Sequence, residues 1–288
     1  MRWASLLPEA TQWFSVWRKE RLLIARSHLC EGSTYVMALP ICTRRGGTSA
    51  EWEKYLGPYP PDFAVLSSLR PDALFTMLTL SVPDLGAEEL LGRLRQALGY
   101  PVQLFSFQAS TWEEYIQRVP HIGEVLGVAN QARRWVSEVL RRKDFLQHKS
   151  QVLSERLSVS LLMPGEIPHG IGRWATQLAE WAGLRVAFAE GFLSWERFLE
   201  ADPDVVVVTF PGASLSAAGE ALSQWARLPQ VQHLKAFRQK RLYAFKGTAG
   251  FFFPSPYLIA AAEALYELAY TPTYRYNQHL GTLWAPLL

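Results

Sequence analysis

The residues best suited to chemistry lie near the start of the chain, where His28, Cys30 and Glu31 follow the predicted strand Leu22–Arg26. An imidazole, a thiolate and a carboxylate can together present three donor groups to a soft or borderline metal ion. A turn after a strand that happens to contain a histidine explains the same residues, and no second group of ligands accompanies them. Both interpretations stay open, with His28 and Cys30 as the candidate metal ligands.

A second polar group marks the start of a predicted helix. Pro8, Glu9 and Thr11 follow the apolar run Trp3–Leu7. Capping the helix and stabilising its dipole is a more natural role for Glu9 than general base. Ligands of parallel α/β sheets bind beyond the carboxyl ends of the strands, so these residues are also candidate ligand contacts. The same reasoning adds residues at the ends of other predicted strands: Met77, Phe107 and Phe210.

A glycine-rich segment, GEIPHGIGRW at residues 165–174, precedes a predicted helix in the second half of the chain. Such a turn can hold an anion at the helix N-terminus, although its glycine spacing matches no nucleotide-binding motif. Arg173 and Trp174 are its candidate ligand contacts.

An aromatic loop, residues 247–256, contains Phe251, Phe252 and Phe253 in succession. Alternate side chains of an extended segment point in opposite directions, so the three rings cannot all face one side. We predict that at least one ring contacts a ligand. The alternative is that the rings close the core beneath the last helix.

The composition is that of a globular protein, with 49% apolar and 19% charged residues. Lys and Arg exceed Asp and Glu by only 29 − 26 = 3, which argues against a nucleic-acid partner. The eleven tryptophans indicate either a surface that holds a large flat ligand or two aromatic-rich cores. Cys30 and Cys42 could form at most one disulfide. No sequence motif of a serine hydrolase, a nucleotide-binding loop or a zinc protease is present, so we expect no enzyme activity.

Targeting signals are also missing from the sequence. No apolar run approaches the roughly 18 residues of a membrane span, and Glu9 interrupts the only apolar stretch near the N-terminus. As written, the sequence predicts a cytoplasmic protein. If an export leader precedes it in the cell, the prediction becomes periplasmic or cell-surface.

The longest predicted element is residues 128–157, which contain neither glycine nor proline. Their apolar residues follow three-and-four spacing, which predicts a helix of roughly 45 Å with one apolar stripe. A helix of that length is expected to join two lobes. Strands and helices alternate on both sides of it, which requires parallel pairing through crossovers. The predicted fold class is α/β, with a lobe at 1–110, linking helices at 111–157 and a second lobe at 158–288, each lobe Rossmann-like.

Seven segments in order resemble the cobalamin-binding branch of the class III ABC-transporter substrate-binding proteins. They are ASLLPEAT, RSHLCE, ALPICTRR, LRPDALFT, GRWATQLAEWAG, SWERFLEADPDVVVVT and LKAFRQKRLYAFKGTAGFFFPSP. ADPDVVVV is common to siderophore, haem and cobalamin binders of this class, whereas SLLPEAT with SHLCE and LPICTR is more particular to the cobalamin branch. The resemblance implies two α/β lobes joined by one long helix. It also implies a monomeric, non-enzymatic protein that holds cobalamin or a related corrinoid for an ABC-transporter permease.

The chain departs from that family's pattern at three places. Met77–Ser81 replaces a polar stretch, Lys246–Tyr257 replaces a polar loop that contains arginine, and Arg173 stands where a histidine is usual. A site with fewer polar side chains and more phenylalanine should prefer a more apolar ligand, or a different face of the same one. Haem or an iron-siderophore is therefore an alternative ligand for the same fold.

A functional alternative uses the polar cluster near the start of the chain. His28, Cys30 and Glu31 could bind a catalytic or transferred metal in an enzyme of tetrapyrrole or metal handling.

Overall fold

The computed structural model describes residues 1–44, 56, 59–76, 87–106, 109–188, 190–248, 250–271 and 277–287. The chain divides into two compact units, Met1–Arg133 and Arg134–Leu288. Each unit contains a sheet with parallel strands joined through helices, and the sheet of the second unit also has antiparallel strands. The predicted α/β fold class is confirmed.

The first unit is built on four parallel strands in the spatial order β2-β1-β3-β4. The strands are β1 (Trp3–Ser5), β2 (Leu23–Ala25), β3 (Ala73–Thr76) and β4 (Gln103–Ser106). Its helices are α1 (Pro8–Val16), α2 (Thr34–Ala38), α3 (Phe63–Leu69), α4 (Ala87–Leu98) and α5 (Trp112–Val125), with a 3-10 turn at Glu20–Leu22. Since the strands are parallel, their carboxyl ends share one edge, where α1 and the turn after β2 begin.

Local signals in the sequence set the starts of these helices. Thr111 caps α5, because its hydroxyl oxygen accepts a hydrogen bond from the Glu114 backbone N–H at 3.1 Å. Asp62 caps α3 in the same way, through the Val65 N–H at 3.2 Å. Pro8 occupies the first turn of α1, where its missing N–H costs no helical hydrogen bond.

The second unit has a larger, mixed sheet in the order β11-β10-β9-β5-β6-β8, with β7 also paired to β5. The strands are β5 (Ser158–Met163), β6 (His169–Gly170), β7 (Arg185–Phe188), β8 (Gly191–Phe192), β9 (Val205–Val208), β10 (Leu242–Phe245) and β11 (Trp284–Pro286). The helices from residue 129 onward are α6 (Ala129–Gln151), α7 (Arg173–Trp181), α8 (Trp195–Ala201), α9 (Leu215–Trp225), α10 (Pro229–Gln232), α11 (Lys235–Arg238) and α12 (Leu258–Tyr270). Strands β7, β5, β9 and β10 run parallel, whereas β6, β8 and β11 pair antiparallel.

Strand β9 lies inside this sheet. Its four valines are fully buried, as expected for a central strand with both faces covered. On the outer side, Trp284 of β11 packs edge-on against Tyr243 of β10, with ring centroids 5.4 Å apart.

The long helix α6 covers Ala129–Gln151 and is shorter than predicted. At 23 residues it spans roughly 35 Å, and the chain leaves the helix six residues before the predicted end at residue 157. A single stripe is buried, as predicted, at Ala132, Val139 and Leu146. The next apolar residue, Val152, is 76% exposed, so no core contact extends the helix toward β5. In the part of the chain that the structure describes, no helix combines the length and apolar character needed to cross a bilayer.

Candidate functional site

A buried polar cluster lies at the carboxyl ends of β1 and β2 in the first unit. Pro8, Glu9 and Thr11 occupy the first turn of α1 and are all buried. The Thr11 hydroxyl lies 3.0 Å from the Cys30 sulfur, within hydrogen-bonding distance. The structure therefore brings together Glu9, Thr11 and Cys30, which the sequence nominated from segments twenty residues apart.

His28 is held by a threonine that the sequence analysis did not nominate. Its backbone N–H donates to the Thr43 hydroxyl at 3.0 Å, and its ring Nδ1 lies 2.7 Å from the same oxygen. The Thr43 hydroxyl also hydrogen-bonds to the Ser27 hydroxyl at 3.2 Å. Which of Nδ1 and the Thr43 hydroxyl donates depends on the tautomer of the imidazole. The imidazole also packs edge-on against Tyr59, with ring centroids 5.3 Å apart. Glu31 is half-buried beside this cluster.

Glu9 is the most unusual group of the cluster. The residue is only 4% exposed, and its Oε2 is buried without a hydrogen-bond partner anywhere in the described chain. Burial raises the pKa of the carboxyl to about 8, against a smaller opposing effect of a hydrogen bond to its own backbone. At neutral pH Glu9 is therefore mostly an uncharged carboxylic acid.

The two thiols are buried and protonated. Cys30 and Cys42 are free, and burial raises the pKa of Cys30 to about 12. Burial and the neighbouring Cys30 also raise the pKa of Cys42. A cysteine binds metal as the thiolate, so this environment disfavours the predicted metal site at His28 and Cys30. Within the described ranges, no group of three or more His, Cys, Asp or Glu side chains could hold a metal ion.

An open concavity of about 500 Å³ lies at the carboxyl ends of β5 and β9 in the second unit. Its wall contains Phe210, which the sequence nominated, and several residues that it did not, among them Ile167, His169 and Phe192. Phe192 is 76% exposed and Ile167 is 49% exposed. The concavity thus presents apolar side chains to solvent at the edge where ligands of parallel sheets bind.

Two very short strands position the aromatic side of this concavity. His169 of β6 stands directly opposite Phe192 of β8, and their rings lie 4.3 Å apart at 30°. Gly170 permits this arrangement, because a β-carbon there would come within 2.7 Å of the Phe188 ring. The Trp195 indole N–H donates to the Glu166 carbonyl at 2.8 Å and holds the other side of the loop.

The glycine-rich turn holds one of the protein's own carboxylates. A β-carbon on Gly172, the N-cap of α7, would lie 2.9 to 3.1 Å from the carboxyl group of Glu190. The Glu190 carboxyl group thus lies beside the helix N-terminus at which the sequence predicted an anion, and anion binding there stays a prediction. Of the two nominated residues of the turn, Arg173 is exposed and Trp174 is half-buried.

The aromatic loop divides between core and surface. Phe251 is 1% exposed and stacks on Phe245 of β10, with centroids 4.5 Å apart at 24°. Its position does not support the ligand contact predicted for it, because the ring fills the core beside the sheet. Phe252 and Phe253 are half-buried, and their ligand contact stays a prediction. The remaining nominated residues, Met77 and Phe107, lie outside the described residues.

Several solved structures share this fold. A periplasmic haem-binding protein from Pseudomonas aeruginosa is 23% identical, with a TM-score of 0.73 over 100% of this chain and 98% of that one. The haem-binding protein HutB of Vibrio cholerae is 19% identical, with a TM-score of 0.70 over 94% of this chain and 99% of that one. The vitamin B12-binding protein BtuF of Vibrio cholerae is 16% identical, with a TM-score of 0.66 over 93% and 96% of the two chains.

Comparison with curated protein sequences gave no significant match. The sequence profile of one family, described as periplasmic binding protein, matches residues 4–249. That match covers most of the chain and includes the polar cluster of the first unit and the concavity of the second. The chain therefore belongs to the periplasmic binding protein family.

Proposed function

We propose that this protein is the substrate-binding component of an ABC transporter and holds a corrinoid, or a related tetrapyrrole, without changing it chemically. The family match and the similar solved structures, whose names include haem and vitamin B12 binders, support this proposal. The transporter's permease is the protein partner that the proposal implies.

One observation supports a flat tetrapyrrole as the class of ligand. The concavity of the second unit exposes Phe192 and Ile167 beside the ring of His169. Exposure of these apolar side chains to water is unfavourable if no ligand covers them. A flat macrocycle laid on the Phe192 ring would remove that apolar surface from water. Stacking of this kind contributes on the order of 0.5–1.5 kcal/mol beyond the burial of area. A small or strongly hydrated ligand would leave the same side chains exposed.

The proposal can be tested by absorption titration with cobinamide, cyanocobalamin and haemin. We expect one of them to bind stoichiometrically, with a spectrum that stays constant over time because no turnover occurs. Phe192→Ala should weaken that binding by about tenfold or more, since both stacking and burial are lost. Phe145→Ala is the matched control, because Phe145 is 62% exposed on α6 and does not line the concavity. If no tetrapyrrole binds, or if both variants bind like the parent protein, the proposal fails.

Haem is the second candidate ligand, and His169 is the observation that favours it. An imidazole on the wall of the concavity is a common axial ligand of haem iron. In the same titration, a shift of the Soret band with haemin and no response to either corrinoid would select haem.

A further inference from the structure

A second cavity lies within the first unit, against the edge strand β4 and helix α5. Its volume is about 300 Å³, at the lower end of the range for small-ligand sites. Its described lining residues all belong to Met1–Arg133, and none of them lines the concavity of the second unit. Pro120 lies inside α5 next to this cavity. A proline there removes a backbone hydrogen bond and favours a kink, which explains why α5 does not close over the sheet edge.

The wall of this cavity is largely apolar and is held in place by the core. Phe75 of β3 and Phe105 of β4 stand opposite each other in the parallel pairing. Both rings pack against Trp3, with centroids 5.6 and 4.8 Å from its ring. Ile122 and Val125 add apolar side chains from α5. The hydrocarbon part of a ligand would therefore meet a preformed surface.

The charged groups at the cavity are basic. Arg118 and His121 lie three residues apart on α5, and none of the described lining residues is acidic. The Nδ1 atom of His121 lies 3.6 Å from the Glu124 carboxylate, so a protonated imidazole already has a partner. Arg118 is exposed, and no ion pair or hydrogen bond engages its guanidinium within the described part of the chain. Arg118 therefore has a positive charge to offer to a ligand.

We propose that this cavity binds a small apolar carboxylate, with the hydrocarbon part against Phe105 and Val125 and the carboxylate on Arg118. The planar guanidinium matches a carboxylate through two parallel hydrogen bonds. A cationic ligand would be repelled by Arg118, and a strongly hydrated ligand would lose water to apolar side chains that return no hydrogen bond. Because the cavity lies wholly in the first unit, this inference does not rest on the proposed function.

Isothermal titration calorimetry with two acids and their amides tests the proposal. Octanoate and 2-naphthoate represent aliphatic and aromatic acids, and octanamide and 2-naphthamide keep the hydrocarbon but lose the charge. We expect at least one acid to bind the parent protein about fivefold or more tightly than its amide, because only the acid pairs with Arg118. The acid that binds more tightly identifies which of the two kinds of hydrocarbon fits the wall.

Two substitutions assign that binding to the cavity. Arg118→Gln removes the charge, so it should reduce the affinity for the acid to that for the amide and leave the amide unchanged. Val125→Phe adds a ring at a half-buried position in the wall, so it should abolish binding of the acid and the amide alike. Arg95→Gln is the matched control, because it removes an exposed arginine on α4 that does not line the cavity.

Three results would overturn the proposal. The first is that neither acid binds the parent protein, and the second is that each acid binds no more tightly than its amide. The third is that Arg118→Gln and Arg95→Gln proteins bind the acids equally well, which would place any acid binding elsewhere on the protein.

Discussion

Glu9 should make the stability of the folded protein depend on pH. Its pKa is about 8 in the folded state and 4.5 as the ordinary value of an unfolded chain. Between those values the folded state holds a proton that the unfolded state has released, so the free energy of unfolding falls as pH rises. The loss is about 1.4 kcal/mol per pH unit, and it stops above pH 8, where both states are ionised.

Glu9→Gln is the variant that checks this prediction. Glutamine cannot ionise, so the urea midpoint of this variant should not show the fall between about pH 5 and pH 8 that ionisation of Glu9 causes in the parent protein. The parent protein should then become less stable relative to the variant as the pH rises. Parallel curves for the two proteins would show that Glu9 keeps an ordinary pKa and that its carboxyl group is solvated.

At the scale of single residues, the sequence predicted which residues follow the strands better than it predicted what their side chains contact. Thr11, Cys30 and His28 were nominated because they follow strands, and the structure places Thr11 within hydrogen-bonding distance of Cys30. Phe192 was missed, because a single phenylalanine after a glycine carries no periodicity and its exposure depends on the fold. Phe251 was a candidate ligand contact together with Phe252 and Phe253, because spacing alone cannot tell which of three adjacent rings enters the core.

At the scale of elements, the pattern of apolar residues was sufficient for the regular helices and central strands. Helices α3, α8 and α9 each begin after a capping Asp or Ser residue, which is a helix-start signal that the sequence shows directly. The strands β6 and β8 could not be predicted, because two residues are too few to show alternation. These two strands position His169 and Phe192, so this part of the candidate site could not be predicted from the sequence.

Asp204 connects three elements of the second unit and should control its stability in acid. It accepts hydrogen bonds from the backbone N–H and hydroxyl of Ser158 at 2.8 and 2.7 Å, and it also forms a salt bridge with Lys235 of α11. Burial alone would raise the pKa of Asp204, but the bonds from Lys235 and Ser158 lower it to about 2. A lowered pKa means that the stabilisation is complete above about pH 4 and is lost as pH falls toward 2.

Asp204→Ala should therefore lower the free energy of unfolding by about 2–4 kcal/mol at neutral pH, because buried donors lose their acceptor. The difference between variant and parent should shrink in acid below pH 4. Lys235→Ala, which removes an exposed partner, should have only a small effect. Chemical unfolding at several pH values measures the free energy of unfolding of both variants. Equal losses for the two variants would show that the stabilisation comes from the salt bridge rather than from the hydrogen bonds to Ser158.

At the scale of the whole molecule, the sequence predicted two α/β lobes and a long helix, and the structure divides the chain within that helix, after Arg133. The predicted boundaries instead set residues 111–157 apart as linking helices, and they stay a prediction. Most of α6 nevertheless belongs to the second unit by its contacts. Arg142 pairs with Glu263 of α12, and the Lys143 ammonium lies 4.2 Å from the Trp181 ring centroid.

These contacts predict where the second unit can be separated. A fragment of residues 129–287 should unfold cooperatively, because it keeps the buried stripe of α6 and the ion pair of Arg142 with Glu263. A fragment of residues 158–287 leaves Glu263 without Arg142 and exposes apolar surface that Val139 and Leu146 would cover, so it should melt at a lower temperature or without cooperativity. Thermal unfolding followed by circular dichroism compares the two fragments directly. Identical melting of both would mean that α6 contributes nothing to the second unit and that the boundary predicted from the sequence, at residue 158, is the better one.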